Sequence, residues 1–375
     1  MKKSIRGIGV GVAFGAMLVT AACAPPEKKA ETPADGGVTA AAATSAEEFG
    51  GLDKLVAAAK KEGTLNVIAL PPDWANYGEI IKAYEAKYGI KVASATPDGS
   101  SQDEINAVKQ LGTTTRAPDV MDMGGAVTVA NTTLYAPYKV ATWADIPDAQ
   151  KDSTGLWVND YGGYMSIGYD SAKLPEITAF TDLNKPAFKN KVALNGDPTA
   201  ANAALNGVEM ASLASGGSLD DISKGVDFFK ALKKLGNFSS VQATSATVKS
   251  GNTPVVFDWD YLQVGHKTDV PSWKVFVPSN AVLGGYYNQA INKNAPHPAA
   301  ARLWEEFLYS DEGQNLWLKG GARPVRMEAM TTAKTIDATA AAALPQVGGD
   351  PVFQTQDQVA AASKYLAANW ASAIK

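Results

Sequence analysis

One cysteine, Cys23, and two histidines, His266 and His297, are all that this chain of 375 residues contains of those types. A lone thiol excludes an internal disulfide, and two widely separated histidines without paired Cys or His neighbours do not furnish a zinc or manganese site. There is no Gly-x-Ser-x-Gly elbow, His-Glu-x-x-His pair or Walker loop, so nucleophilic, zinc and phosphate chemistry each lack their sequence mark. Basic clusters interleaved with aromatics are also missing, and 34 Lys and Arg against 38 acids give a formal charge of −4, which points away from nucleic acid. No cofactor is expected. The one sustained apolar run, from Ile8 to Val19, is too short and glycine-rich for a membrane span.

That run belongs to an export signal. Lys2, Lys3 and Arg6 precede it and Thr20-Ala-Ala-Cys23 follows, so residues 1–22 read as a signal peptide. The cysteine resembles that of a bacterial lipobox, with Thr20 where the motif usually has Leu. This predicts a protein anchored through lipid on Cys23, at the outer face of the cytoplasmic membrane or in the periplasm, with a mature charge of −4 − 3 = −7. Residues 23–50 are Ala, Pro, Thr, Ser and Gly with almost no large apolar side chain, the composition of a flexible tether.

From Leu52 onward the pattern alternates. Leu52, Leu55, Val56 and Ala59 share a helical face, Gly63 stops the helix, and 64–69 reads as a strand. A helix over 77–88, a strand over 90–95, a helix opened by Ser101-x-x-Glu104 and a strand over 119–123 follow. A second run has strands at 164–169 and 191–195, the turn Gly196-Asp-Pro-Thr199, a helix capped by Ser218-x-x-Asp221, a strand at 273–277, a return strand at 284–292 and an amphipathic helix at 297–309. The alternation predicts an α/β protein of two lobes with mostly parallel sheets. The lobes comprise 52–163 plus 286–324 and 164–285 plus 325–375.

The stretch Asn252-Thr-Pro-Val-Val-Phe-Asp-Trp-Asp-Tyr-Leu262 ends a buried strand in two carboxylates alternating with two aromatics. Asp258, Trp259 and Asp260 then sit past the carboxyl end of that strand, where open α/β sheets hold ligands. On an extended chain Asp258 and Asp260 face the same way, about 7 Å apart. Loops after other strands supply Trp74 and Tyr77 as flat faces, and Ser100 and Ser101 as hydroxyls at a helix N-terminus. Asp197 and Thr199 stand at a second helix start, the other candidate for an anion. Tyr286 and Tyr287 lie on the return strand, where one faces the core and the other the cleft.

At Ala299-Ala-Ala-Arg-Leu-Trp-Glu-Glu-Phe-Leu-Tyr-Ser-Asp-Glu-Gly-Gln314 the chain resembles the helix pair of solute-binding proteins that serve ABC importers. Residues 52–63, Ala117-Pro-Asp-Val120 and Ile167-Gly-Tyr-Asp170 fall in the family's order, so the resemblance covers roughly 52–325. It implies a type II periplasmic-binding-protein fold with a hinge of crossing strands. It further implies a monomer that captures a small-molecule solute in the interlobe cleft and delivers it to a membrane permease, without turnover. In the subgroup for ferric ion, polyamines, thiamine and phosphonates, the segment around Asp258 supplies ligand contacts. Ferric-binding members have adjacent tyrosines there, whereas polyamine-binding members place a Trp and an acid there and another Trp after the first strand. Trp259, Asp258 or Asp260, and Trp74 resemble the latter.

Two carboxylates with several aromatic faces suit an organic cation such as a polyamine, through ammonium–carboxylate pairing and cation–π contact. The alternatives are a ferric ion or an anion such as a phosphonate. More remote is an exported carbohydrate-active enzyme using Asp258 and Asp260 as its carboxylate pair.

Overall fold

The computed structural model describes residues 37–345 and 347–375, so the export signal and Cys23 lie outside the described residues. In chain order, α1 (Leu52–Glu62), β1 (Thr64–Ile68), α2 (Tyr77–Tyr88), β2 (Lys91–Ala95), α3 (Ser101–Leu111), β3 (Val120–Gly124), α4 (Gly125–Ala130) and β4 (Tyr135–Ala136) build most of the first lobe. The long strand β5 (Val158–Asp170) leads into the second lobe: β6 (Val192–Leu194), α5 (Asn202–Ala214), α6 (Ser223–Leu235), α7 (Ser245–Lys249), β7 (Val255–Trp259), α8 (Asp260–Gly265) and β8 (Trp273–Phe276). The chain returns through β9 (Leu283–Asn292) to α9 (Pro298–Leu308) and α10 (Asp311–Lys319). It finishes with β10 (Arg323–Pro324), α11 (Met327–Ala333), α12 (Ala338–Ala342), β11 (Val352–Phe353) and α13 (Gln356–Ala373).

The lobes share one strand. Residues 158–164 of β5 pair with β9, which also carries β3, while residues 165–170 pair with β7 and β8. Among the strands described, β1–β2, β6–β7 and β11–β9 pair parallel and the others antiparallel, so the expectation of mostly parallel sheets gives way to a mixed one. The reason is the hinge: strands that cross between lobes run antiparallel to their neighbours. Gly162 and Gly285 permit that crossing, because a Cβ on Gly162 would lie 2.1 Å from the carbonyl oxygen of Gly285.

Local signals set most elements. Gly63 ends α1 in the left-handed conformation at φ 71°, and Leu55 and Ala59 turn inward. The capping box of α3 is Ser100 with Asp103, one residue earlier than expected, which turns Ser101 and Glu104 into the lobe. Two assignments are corrected. Residues 37–50 are docked: Ala40, Ala43, Ala46 and Phe49 are buried, and the Arg302 guanidinium of α9 donates to the carbonyls of Ala41 and Ala43 at 2.8 Å. Small alanines fit a groove that a count of large apolar residues does not detect. Residues 327–342 lie on the first lobe rather than the second, with Asn315 of α10 hydrogen-bonded to Thr335 and Asp337. β11 pairs with Leu283 and Gly284 of β9, Gln354 donates to Asn206 of α5, and α13 packs mainly on the second lobe, seating Trp370 between Phe229 and Phe238, while it also touches α4.

Candidate functional site

The loops after β1 and β2 and the end of β3 face the segments after β6 and β7 across a cleft of about 920 Å³. These are carboxyl ends of strands, where the chain leaves each sheet with polar groups free to meet a ligand. Among the described residues, four of the six non-glycine residues with left-handed φ fall in the two first-lobe loops: Ala69, Ala75, Asn76 and Thr96. Strain of this kind costs energy and collects where a loop's shape matters to function.

Six carboxylates line the cleft: Asp73, Asp98, Glu104, Asp122, Asp258 and Asp269. Neither Lys nor Arg lines it among the described residues, and the one ring base, His266, is held below its usual pKa by burial. Asp258 accepts from the Asn195 side chain at 2.7 Å and from the Trp259 backbone N–H at 2.8 Å. Burial outweighs those donors and pushes its carboxyl up to about 7. On the opposite wall, Asp122 accepts from the hydroxyls of Tyr77 at 2.7 Å and Tyr161 at 3.0 Å, and its backbone N–H donates to Glu104 at 2.9 Å. Burial raises both carboxyls, Glu104 further through the charge of Asp122.

The aromatic wall is fixed from behind. The Trp74 indole N–H donates to the Tyr161 hydroxyl at 2.7 Å, and its ring meets Tyr287 edge-on at 5.7 Å. Across the mouth, the Ser245 hydroxyl of α7 donates to Asp73 at 2.7 Å, so the lobes already touch there.

Of the residues expected at a ligand, Trp74, Ser100, Ser101, Asp258 and Tyr287 line the cleft. The others do not. Tyr77 is fully buried beneath the wall as a donor to Asp122. Trp259 is fully buried, stacked on Tyr261 at 6.4 Å. Asp260 accepts from Arg323 at 2.8 Å and from the N–H groups of Tyr164 and Tyr261. The shared-face argument for Asp258 and Asp260 fails because β7 ends at Trp259 and a helix opens at Asp260. Tyr286 stacks on Phe353 outside the cleft. Asp197 and Thr199 are exposed and bonded to each other in a turn. Missed by the sequence reading were Asp73, Glu104, Asp122, Asn195 and Ser245. Asp122 alone carried a signal: like Asp258, it breaks an apolar strand near its carboxyl end.

The sequence pattern of the bacterial extracellular solute-binding proteins matches residues 126–350, more than half of the chain. This chain belongs to that family. Solved structures share its fold across both lobes. Iron-bound HitA from Pseudomonas aeruginosa is 20% identical, with a TM-score of 0.61 over 81% of this chain and 97% of its own. A ferric binding protein from Campylobacter jejuni is 18% identical, with a TM-score of 0.63 over 82% and 99%. AfuA from Actinobacillus pleuropneumoniae, solved with fructose-6-phosphate, is 18% identical, with a TM-score of 0.62 over 83% and 98%. The solute-binding protein described here has the type II periplasmic-binding-protein fold and is the non-enzymatic solute-binding component of an ABC importer.

Proposed function

We propose that the solute is a small cation held between the two lobes, with Asp258 and Asn195 on one wall and Trp74, Tyr287, Ser100, Ser101, Glu104 and Asp122 on the other. One observation carries this: six carboxylates line the cleft and no Lys or Arg lines it among the described residues. A buried carboxylate is costly without a counter-charge, and an incoming ammonium supplies one. Trp74 adds a cation–π face, worth about 0.5 to 2 kcal/mol when desolvated. These features favour an organic cation of the polyamine type.

A ferric ion is the second reading, and the similarity to iron-bound HitA and to the Campylobacter jejuni protein supports it. It shares the sign of charge but calls for different donors. Tyr286 and Tyr287 turn to opposite sides, so only the latter offers a phenol to the cleft. An anion such as a phosphonate or the sugar phosphate of AfuA would meet six carboxylates and, among the described lining residues, neither Lys nor Arg.

Delivery to a membrane permease and anchoring through lipid on Cys23 complete the proposal. The test is a thermal-shift screen of the mature protein with spermidine, quaternary amines, thiamine, ferric citrate, phosphonates and fructose-6-phosphate. A true ligand at a hundred times its dissociation constant stabilises by about 2.7 kcal/mol. Spermidine or another amine is expected to respond; a shift with ferric citrate alone selects the second reading, and a shift with an anion alone defeats both.

A further inference from the structure

We propose that Asp122 is the first lobe's counter-charge for the captured cation, and that the cation enters in exchange for a single proton that Asp122 holds in common with Asp160. The inference rests on the cation reading above and concerns how that site is governed.

Three neighbouring strands bring the pair together. Asp122 on β3 and Val158 on β5 both register with Gln289 of β9, and Asp160 lies two residues beyond Val158. The Gln289 amide donates to Asp160 at 2.9 Å and to the Tyr77 hydroxyl at 3.0 Å, while the Tyr161 backbone N–H donates to Asp160 at 2.6 Å. The Tyr77 hydroxyl, which accepts from that amide, donates to Asp122 at 2.7 Å and so bridges the two carboxyls, and the Oδ1 of Asp122 is buried without a hydrogen-bond partner. Two buried carboxyls joined in this way do not both ionise; they share a proton and titrate as a unit.

Among the described residues, no Lys or Arg acts directly on the pair. Glu104 from α3 and Glu305 from α9 act on the pair with like charge, and Tyr77, Tyr161, Tyr261, Tyr287 and Tyr309 contribute phenols. Arg302 acts on Glu305, and Asp258 faces from the other lobe. The missing positive charge has one way in, because Asp122 lines the cleft while Asp160 lies wholly behind it. A cation resting on Trp74 is one relay away, through the Tyr161 hydroxyl, which accepts from Trp74 at 2.7 Å and donates to Asp122 at 3.0 Å. When it arrives, the shared proton leaves through the cleft to solvent, and the charge of the cluster balances.

The experiment is calorimetric titration of the mature protein with spermidine from pH 5.5 to 8, in two buffers of different ionisation enthalpy. Release of about two protons per spermidine is expected on the acid side, one from the pair and one from Asp258, whose carboxyl burial also raises to about 7, with affinity rising steeply with pH there. Asp160→Asn removes the partner, so proton release falls by about one and the pH slope becomes shallower while binding persists; Asp122→Asn weakens binding at every pH. Asp258→Asn binds more weakly and still releases about one proton, that of the pair, which separates the pair from the carboxylate across the cleft and serves if Asp160→Asn does not fold. Spermidine binding without proton release, an Asp160→Asn protein with the wild-type slope, or an Asp258→Asn protein without one overturns the exchange alone. Absence of spermidine binding at every pH overturns the organic-cation reading and this inference with it.

Discussion

At the scale of single residues, the two aspartates around Trp259 do opposite work despite standing two positions apart. Asp258 is aimed into the cleft, and Asp260 is spent on Arg323 at the base of the hinge. Asp258→Asn is expected to cost about 2 to 5 kcal/mol of cation affinity with little change in stability, since it removes one partner of a desolvated charge pair. Asp260→Asn reverses the pattern: it leaves a half-buried Arg323 short of its carboxylate, so unfolding in urea should show a loss of about 2 to 4 kcal/mol while affinity is kept. Equal effects of the two substitutions on calorimetric affinity would remove the distinction. Asp258 was legible in the sequence because a carboxylate interrupts the apolar run Val255-Val-Phe257. The role of Asp260 was not, because its direction depends on a helix starting one residue after the strand ends. Asp122 shows the same interruption in Val120-Met-Asp-Met123, but its partners Tyr77, Tyr161 and Asp160 come from elements far apart in the chain.

At the scale of elements, α7 and the loop after β1 form a latch through Ser245 and Asp73. An exposed hydrogen bond of this kind contributes about 0.5 to 1.5 kcal/mol, so Ser245→Ala should lower ligand affinity several-fold and enlarge the radius of gyration of the ligand-free protein in solution scattering. The docked segment 37–50 invites a second test. Phe49→Ala opens a cavity in the core cluster that also holds Ala43 and Ala46, and about 3 kcal/mol of stability should be lost in thermal or urea unfolding. Short-range elements were readable from the sequence: α1, β1, α2 and β2 each carry their own apolar period and a glycine stop or turn. The first half of β5 was not, since Gly162 and Gly163 erase the strand signal and its partner β9 lies more than a hundred residues on. The docking of 37–50 was hidden for the same reason, because Arg302 receives it from the far end of the lobe.

At the scale of the whole molecule, buried carboxyls set the response to pH. Glu209 of α5 is fully buried with neither oxygen partnered, and burial raises it well above the carboxylate range; Asp258 is pushed up to about 7. Both hold protons in the folded state that the unfolded chain has released above about pH 4, so their contribution to stability is intact below that pH and is lost as pH rises toward each raised pKa, about 7 for Asp258. Asp103, Asp170 and Asp182 are lowered by their hydrogen bonds and ion pairs, and theirs is lost as pH falls through the acid range. The melting temperature should therefore peak in mildly acidic solution and decline toward pH 8. Glu209→Met should flatten that decline and raise stability at pH 8 by about 1 to 3 kcal/mol, the cost of an unpaired buried polar group. The whole arrangement, a hinge strand shared by two lobes that meet across acidic walls, stands on the sign of the ligand's charge. Calorimetric titration of the mature protein and of Asp258→Asn with spermidine and with fructose-6-phosphate tests that sign directly. Saturable spermidine binding that drops at least thirtyfold in the variant, about 2 kcal/mol, with no heat from the sugar phosphate, is the predicted result. Saturable binding of fructose-6-phosphate, or spermidine affinity unchanged in Asp258→Asn, would contradict it.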